Sequence, residues 1–324
     1  MKLLILSNNP SRASFRQRIG IYLDTLQSNG INCEVAKLPA TEWARLKLFR
    51  SAADFDAAYL HKKRLNLLDA FCLKKYTKKI IYDFDDAVMY DEVEPEQISR
   101  KRLNSFERTI GLASLVIAGN SYLAKQALLF NSNVVVLPTG LDVKAYDGQK
   151  THPDDRVRLV WIGSKSTLEY LETIRPVLEQ TGKQFKNVSL RIISDKFIDL
   201  ENMDVEKRNW SIQTQYADLT GSDIGLAPLP DNHFTQGKCG FKILQYQAAG
   251  LPVITSPVGV NAQFVENGKS GFHAQSNQQW IDAITRLVEN SSIRIQMGQA
   301  GKVFVQKFDY TIIGRQLVKL LKEA

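Results

Sequence analysis

Short runs of consecutive apolar residues alternate with helical segments along this chain of 324 residues. In the first half we predict strands at residues 3–7, 32–37, 57–60, 79–84, 114–118 and 133–137, most of them apolar runs. Continuous Ile, Val and Leu are typical of strands that are buried on both faces, and the intervening helices cover those faces. The alternation therefore predicts an α/β fold built on a mostly parallel, doubly wound sheet.

The same pattern begins again at residues 158–162, after a polar stretch at residues 147–155 that we interpret as a linker. A helix at residues 168–185 and strands at 189–194, 210–214 and 224–227 are expected to follow. We predict two Rossmann-like domains, at residues 1–146 and 147–307, and a last helix within residues 308–324. Ligands of such sheets bind at the carboxyl ends of the strands, so the domains are expected to face each other across a cleft.

Residues 237–256, GKCGFKILQYQAAGLPVITS, predict a helix over residues 238–249 and then a buried strand. Each helical residue advances about 100°, so Lys238, Lys242 and Gln245 are expected within about 60° of one another. Lysines at the positive end of a helix dipole are locally unfavourable, and a bound phosphate would reverse that. The segment therefore predicts an anion site; the alternative is two solvated lysines.

Residues 161–167, WIGSKST, fall where the first strand of the second domain meets its first helix. Gly163 permits close backbone approach, and the hydroxyls of Ser164 and Thr167 can donate hydrogen bonds or cap the helix. An ordinary strand-to-helix connection is the alternative. We expect a phosphate loop, with Lys238 and Lys242 at the same strand edge.

Taken together, residues 237–258, the turn at 161–164 and the segment YDFDDA at 82–87 resemble retaining glycosyltransferases of the GT-B fold, in the group 1 (family 4) class. The similarity extends over nearly the whole chain. The run AAGLPV at residues 248–253 matches the small-residue run and Gly-x-Pro-Val of that family. Where the family has two glutamates eight positions apart, this chain has Gly237 and Gln245.

The resemblance implies transfer of a sugar from a nucleotide diphosphate to an acceptor hydroxyl with retention of anomeric configuration. The nucleotide sugar is then a co-substrate, and no metal or other cofactor is expected. Fixed cations near the diphosphate lower the barrier to its departure, and we assign that role to Lys238 and Lys242 with the turn at Gly163 and Ser164; Lys242 is the predicted catalytic residue among them. The expected donor-binding residues are Gly163, Ser164, Thr167, Asp231, Gly237, Lys238, Lys242 and Gln245.

Within that set, Gln245 is expected to bind ribose hydroxyls. Lys238, Asp231 or a backbone amide of the Gly237 loop is expected to replace the donor-sugar contact of the first glutamate. The resemblance also implies that the last helix returns to the first domain.

The segment YDFDD ends a predicted strand with three carboxylates. We expect Asp85 or Asp86 to act in catalysis, by orienting sugar or acceptor hydroxyls or by stabilising positive charge on the sugar ring. Asp83 and Asp85 also have the Asp-x-Asp spacing with which single-lobed glycosyltransferases bind Mn²⁺ or Mg²⁺. A third interpretation is that the aspartates cap the following segment.

Three further residues are candidate contacts for the acceptor or the sugar. Arg16 follows the first strand, and we prefer it to Arg18 because the two lie about 200° apart on a helix. His61 ends a strand and could bind a sugar hydroxyl or be structural. Asn120 is expected to cap a helix first and contact the acceptor second. Nothing in the spacing of the histidines predicts a zinc site.

The net charge of +8 lies mostly in the first half, where residues 1–146 have 21 Lys or Arg against 15 Asp or Glu. We interpret most basic clusters as solvated helix faces, and expect the remainder to contact an anionic membrane surface peripherally or to bind an acidic acceptor. No nucleic-acid-binding motif accompanies the charge. Three cysteines without metal or redox spacing and no apolar run of about 20 residues favour a cytoplasmic protein that visits the inner membrane surface.

The expected biological role is synthesis of a surface glycan or glycolipid on a glycan or lipid-linked acceptor. One alternative is a sugar-nucleotide-binding protein that has lost catalysis, because the two glutamates are missing. The other is a nucleotide-dependent oxidoreductase, although SNNP stands at residues 7–10 in place of a Gly-x-Gly-x-x-Gly fingerprint.

Overall fold

The computed structural model describes residues 1–148 and 155–324. Within these residues the chain divides into two compact units. Unit 1 contains residues 1–141, 232–239 and 308–324, and unit 2 contains residues 142–231 and 240–307. The units differ from the predicted boundaries at residues 142–146 and 232–239. Residues 149–154 of the predicted linker lie outside the described residues.

Unit 1 contains a six-stranded parallel sheet among the described residues, with strand order β2-β1-β3-β4-β5-β6. Its strands are β1 (Lys2–Ser7), β2 (Asn32–Lys37), β3 (Ala57–His61), β4 (Ile80–Phe84), β5 (Leu115–Ala118) and β6 (Val134–Val136). The apolar runs of β1, β3, β4 and β5 are buried, as expected of strands covered on both faces. The parallel register aligns Ser7 with His61 and His61 with Asp83, so these polar side chains share one edge of the sheet.

Helices cover both faces of this sheet. They are α1 (Ala13–Arg18), α2 (Leu23–Ser28), α3 (Glu42–Ser51), α4 (Leu67–Tyr76), α5 (Arg100–Leu112), α6 (Ser121–Leu128) and the last helix of the chain, α14 (Tyr310–Glu323). One core cluster contains Phe49, Leu73 and Phe106, from α3, α4 and α5. The other contains Leu26 of α2 and Ile313 of α14.

Unit 2 repeats the plan with a second six-stranded parallel sheet in the described part of the chain, in the order β12-β11-β10-β7-β8-β9. Its strands are β7 (Val157–Ile162), β8 (Val188–Ser194), β9 (Asp204–Asn209), β10 (Ile224–Ala227), β11 (Val253–Thr255) and β12 (Gly271–His273). Its helices are α7 (Leu168–Glu172), α8 (Arg175–Gln184), α9 (Gln215–Thr220), α10 (Phe241–Ala248), α11 (Asn261–Phe264), α12 (Asn277–Glu289) and α13 (Ser291–Val305).

Several predicted elements differ from the structure. The strand expected at residues 210–214 is wrong, because β9 is the partly exposed edge segment Asp204–Asn209, whose polar sequence has no continuous apolar run. The helix expected at residues 168–185 is two helices, and Pro176 occupies the first turn of the second. Helix α3 was not predicted, because one of its buried positions is an arginine, Arg45, and the sequence therefore shows no apolar stripe at helical spacing.

Candidate functional site

The carboxylate of Asp83, at the end of β4, is fully buried against an arginine of α1. Arg18 places its Nε 2.9 Å from Oδ1 and 3.1 Å from Oδ2 of Asp83. The carboxylates of the Asp-x-Asp pair are thus directed to different cations, because Asp85 pairs with Lys62 instead. Sequence reasoning set Arg18 aside on helical geometry, but α1 ends at Arg18 and its side chain turns into the unit.

Lys62 joins the two remaining carboxylates of this segment. Its Nζ lies 3.0 Å from Oδ1 of Asp85 and also binds Oδ2 of Asp86. Lys238 binds the other oxygen of Asp86, at 3.2 Å. The four side chains form a partly buried cluster of alternating charge, which we call the Lys62 cluster. Lys62 itself has φ +56°, an uncommon left-handed conformation for a residue other than glycine.

Electrostatics in the Lys62 cluster favour the charged forms. Burial lowers the pKa of Lys62, but the carboxylates of Asp85 and Asp86 outweigh it and raise that pKa well above its usual range. Burial likewise acts to raise the pKa of Asp86, but Lys62 and Lys238 hold it well below its usual range. Asp86 is therefore a carboxylate at every physiological pH, which makes it a hydrogen-bond acceptor and a weak base.

Lys238 reaches this cluster from a segment that belongs to unit 1. The predicted helix at residues 238–249 is wrong at its start, because α10 begins at Phe241 and Lys238 has extended backbone. Gly240 lies between Lys238 and the start of α10 and has φ +65°. A Cβ at Gly240 would lie 2.9 Å from Phe264 and from Val260, so this position favours glycine. Lys238 therefore does not share a helix face with Lys242 and Gln245.

Asn120 holds the segment before Gly240 in place. Its Oδ1 accepts from the backbone N–H of Leu123 and so caps α6, as the sequence predicts. Its Nδ2 donates to the carbonyl oxygens of Gly237 and Lys238, at 3.0 and 3.1 Å. Cys239 then donates through Sγ to the carbonyl of Asp85, at 3.2 Å. Asn120 and Gly237 thus position Lys238 against Asp86.

The two other candidate contacts in unit 1 are held by local interactions. His61 is 3% exposed, and its Nδ1 lies 3.5 Å from Oγ of Ser7. Burial lowers the pKa of His61 and favours the neutral ring. Arg16 donates to the carbonyl oxygen of Ser11, in the loop after β1. The structure therefore places His61 at the sheet edge near Asp83 and Arg16 on the loop.

In unit 2, the turn after β7 has the local geometry of a strand-to-helix connection with a capped start. Ser164 and Thr167 form reciprocal capping hydrogen bonds, with the Ser164 N–H 3.3 Å from the Thr167 hydroxyl. A Cβ at Gly163 would lie 2.4 Å from the ring of Trp161, so this position requires glycine. Ser164 is exposed and Thr167 is half-buried, and both hydroxyls can reorient towards a ligand.

Helix α10 is held directly against this turn. The Tyr246 hydroxyl accepts from the N–H of Ile162 at 3.0 Å and donates to the carbonyl of Leu226 at 3.1 Å. Lys242, one turn earlier, places its Nζ 4.1 Å from the centre of the Trp161 ring. The same Nζ is 2.9 Å from the position that a Cβ of Gly163 would occupy. Gly163 and Lys242 thus meet in unit 2, as the sequence predicts.

The other two candidate residues of unit 2 are Gln245 and Asp231. Gln245 is 4% exposed, and its Nε2 donates to the Tyr146 hydroxyl at 3.1 Å and to Gln215 Oε1 at 3.4 Å. Asp231 is exposed in the loop that follows β10.

Sequence reasoning missed Lys62, Trp161 and Tyr246 as site residues, although a charged residue directly after a strand was a signal for Lys62.

Within residues 1–148 and 155–324, no group of three or more His, Cys, Asp or Glu side chains is arranged to hold a metal ion. None of the helices formed by these residues combines the length and apolar character that a membrane crossing requires.

The two sheets and their helices define the GT-B fold. The crystal structure of Anabaena HepE in complex with UDP and glucose has a TM-score of 0.76 and 19% sequence identity, covering 100% of both chains. Sucrose-phosphate synthase from Thermosynechococcus elongatus has a TM-score of 0.76 and 13% identity, covering 99% of this chain and 98% of that one. The predicted fold class is confirmed.

A similarity in sequence covers part of the chain. Residues 158–290 match the family model described as "Glycosyl transferases group 1", which confirms the predicted resemblance to group 1 glycosyltransferases over that range. The range lies in unit 2 apart from residues 232–239. The D-inositol 3-phosphate glycosyltransferase of Corynebacterium aurimucosum is 32% identical over 87 residues, which are 26% of this chain and 21% of that relative. The chain therefore spans about a fifth of the length of the curated relatives that it matches.

Proposed function

We propose that this protein is a retaining glycosyltransferase that moves a sugar from a nucleotide diphosphate sugar to an acceptor hydroxyl. The observation that carries the proposal is the meeting of Lys242 with the Gly163 turn, within a segment that matches the group 1 glycosyltransferases. A sugar leaves its nucleotide as an oxocarbenium-like species while negative charge develops on the diphosphate. The fixed cation supplies stabilisation where that charge develops.

The diphosphate site is proposed in unit 2. Because Gly163 has no side chain, the Trp161 ring and the Lys242 ammonium lie directly beside its backbone, and a phosphate bound at this turn would be close to the cation. Ser164 and Thr167 lie in the same turn and offer hydroxyl donors. Tyr246 fixes α10 against β7, so little rearrangement of Lys242 is needed when the donor binds. Asp231 remains the proposed sugar contact of this unit.

Asp85 and Asp86 are proposed to act on sugar or acceptor hydroxyls from unit 1. The low pKa of Asp86 makes it a poor proton acceptor, so its role is to orient hydroxyl groups or to stabilise positive charge on the sugar ring. Lys62 and Lys238 hold its carboxylate in one orientation. The acceptor proton is then transferred to the departing phosphate, and no protein nucleophile is required.

The reaction is proposed to proceed without a metal, since Lys242 supplies positive charge at the diphosphate. The acceptor is proposed to be a glycan or a lipid-linked glycan of a surface-glycan or glycolipid pathway. We place the protein in the cytoplasm, with peripheral contact at an anionic membrane surface. Its basic first half supports that contact.

The test begins with a thermal-shift screen of UDP-, GDP-, dTDP- and CDP-sugars. UDP-glucose is the first candidate, because the crystal structures of HepE contain UDP, glucose and UDP-glucose. Transfer from the donor that binds is then followed with mixed glycan and lipid acceptors, with and without EDTA. Retention requires that the anomeric configuration of the product, measured by NMR, equals that of the donor. An inverted product would refute retention, and loss of transfer with EDTA would refute metal independence.

A catalytically inactive sugar-nucleotide-binding protein is the second candidate. Its supporting observation is Gln245, which stands at one of the family's two glutamate positions and uses its buried amide within unit 2. Gly237 stands at the other and offers no side chain. Radiolabelled donor distinguishes the candidates: binding without transfer or hydrolysis favours the inactive protein, and turnover favours the enzyme.

A further inference from the structure

Helix α4 of unit 1 turns large apolar side chains outward. Leu67 and Phe71 are 73% and 67% exposed, and Leu68 is also exposed. Leu73, on the other side of the helix, is buried in the core of the unit. Because each residue advances about 100°, the three exposed residues lie within about 100° of one another. The helix is therefore apolar towards the core and apolar again on its outward side.

Helix α3 adds a fourth exposed apolar residue on the same side of the sheet. Trp43 is 84% exposed, whereas Phe49 of α3 is buried in the same core cluster as Leu73 of α4. Arg45 of α3 binds Asp69 of α4, with its Nε 3.0 Å from each carboxylate oxygen. The helices are thus joined over one face of the sheet, and their exposed sides both point away from it.

Basic residues accompany the apolar ones. Four of them are exposed on these helices: Lys47, Arg50, Lys74 and Lys75. On α3, the two basic residues lie within about 40° of Trp43, since each residue advances about 100°. Over residues 42–51 and 67–76, all of which are described, Glu42 is the one exposed acidic residue. The outward sides of the two helices therefore combine apolar bulk with net positive charge.

We infer that this surface docks on an anionic lipid bilayer. The α3–α4 face is defined by Trp43, Leu67, Leu68 and Phe71 together with Lys47, Arg50, Lys74 and Lys75. Apolar and aromatic side chains enter the boundary between headgroups and acyl chains, while the long basic side chains reach anionic headgroups. The inference rests on the membrane contact proposed above and names the surface that makes it.

Charge distinguishes this occupant from a protein partner. Lysine is depleted in protein–protein interfaces, and the α3–α4 face contains three. A few exposed apolar residues are ordinary on a protein surface, and Leu128 and Leu129 of unit 1, 53% and 71% exposed, are an example. The α3–α4 face differs because four such residues share one surface with four cations.

The experiment is co-flotation of the full chain with vesicles of phosphatidylcholine, with or without phosphatidylglycerol. We expect partition onto the anionic vesicles that weakens at high salt. The double substitution Leu67→Gln/Phe71→Gln and the charge reversal Lys74→Glu/Lys75→Glu should each reduce partition by at least about tenfold. Leu129→Gln is the matched control, equally exposed in the same unit, and should bind vesicles as the wild type does.

Intrinsic fluorescence gives a second readout. Trp161 and Trp280 are buried and Trp210 is partly buried, so a blue shift on vesicle addition is expected to come from Trp43 and to be lost in Trp43→Phe. Equal partition of wild type and both double variants would overturn the inference, as would no partition of the wild type. A dimer that the substitutions dissociate, without vesicle binding, would also overturn it, because a second copy would then cover the face.

A negative result for vesicle binding is distinguishable from a negative result for the proposed transferase function. UDP affinity, measured by calorimetry on the same variants, should be unchanged, because the substitutions lie in unit 1 outside the proposed donor site. Vesicle partition lost with UDP affinity intact supports the α3–α4 face. Absence of any nucleotide binding in the wild type would instead contradict the proposed function and leave the vesicle result valid.

Discussion

The guanidinium of Arg18 and the carboxylate of Asp83 form a buried ion pair in unit 1, with Nη2 of Arg18 2.7 Å from Oδ1 of Asp83. The pair joins α1 to the end of β4, at the sheet edge where Ser7 and His61 also end their strands. A buried ion pair is costly to break on one side, because the remaining charge has no compensation.

Replacing Asp83 by Asn should lower the free energy of unfolding by about 3–5 kcal/mol, since it leaves the Arg18 guanidinium buried without its counter-charge. Urea denaturation of the purified variant measures this. The double variant Arg18→Met/Asp83→Asn should recover much of the loss, because neither charge is then present. Additive losses in the double variant would contradict the prediction.

Lys242→Ala should weaken UDP binding by about 10- to 100-fold, the range of a lost charge-assisted hydrogen bond. Isothermal titration calorimetry is the measurement. Lys269→Ala is the control, because Lys269 is an exposed lysine of the same unit that pairs with Glu266. Unchanged affinity in Lys242→Ala would remove this residue from the proposed diphosphate site.

Asp85→Asn and Asp86→Asn should each lower kcat by at least about tenfold while changing donor affinity little. The reason is that both residues lie in unit 1, whereas the proposed phosphate contacts lie in unit 2. Steady-state kinetics with the donor found by the thermal-shift screen, together with calorimetry of donor binding, separate the two effects. Asp56→Asn alters an exposed aspartate of unit 1 and serves as control. Normal transfer by both variants would exclude the proposed catalytic role.

The free energy of unfolding should decrease as the pH is lowered, and part of this decrease should depend on Asp86. The pKa of Asp86 is lower in the folded protein than in the unfolded chain, where it is about 3.9. Its contribution is therefore complete above the unfolded value and is lost as the pH falls through that value towards the folded one. Urea unfolding between about pH 5 and pH 2 should show a shallower decline in Asp86→Asn than in the wild type. Parallel curves would contradict the pairing of Asp86 with Lys62 and Lys238.

Gly163→Ala should destabilise the protein by about 1–3 kcal/mol, because the added Cβ would lie 2.4 Å from the Trp161 ring. It should also weaken UDP binding by displacing Lys242. Gly111→Ala is the control and should stabilise the protein instead. Gly111 lies in helix α5, a Cβ there would be 4.0 Å from its nearest neighbouring atom, and alanine favours helices. Thermal unfolding of both variants tests the difference.

The alternation of apolar runs and helices was sufficient to predict the fold class, because each run must be buried between covering helices. Strand β9 was misplaced, since an edge strand needs no apolar run and its polar residues gave no signal. Gly163 and Lys242 were predicted together because both follow from local patterns, a strand end and a helix start.

Other features of the site depend on contacts between residues far apart in sequence. Lys62 and Lys238 meet at Asp86 although 176 positions separate the two lysines, and sequence spacing carries no trace of that contact. The start of α10 was misjudged because Gly240 allows a left-handed turn that ends the preceding segment, and helix periodicity alone does not reveal it.

Unit 1 is assembled from three stretches of chain, and the last of these, residues 308–324, follows unit 2. Unit 2 is complete once residue 307 has been synthesised. During synthesis from the N-terminus, the sheet of unit 1 emerges first, yet Ile313 and Leu317 of α14, which fill its core beside Leu26, arrive only after unit 2. Until then this apolar surface lacks its covering helix, so the nascent first half exposes surface that is prone to aggregation.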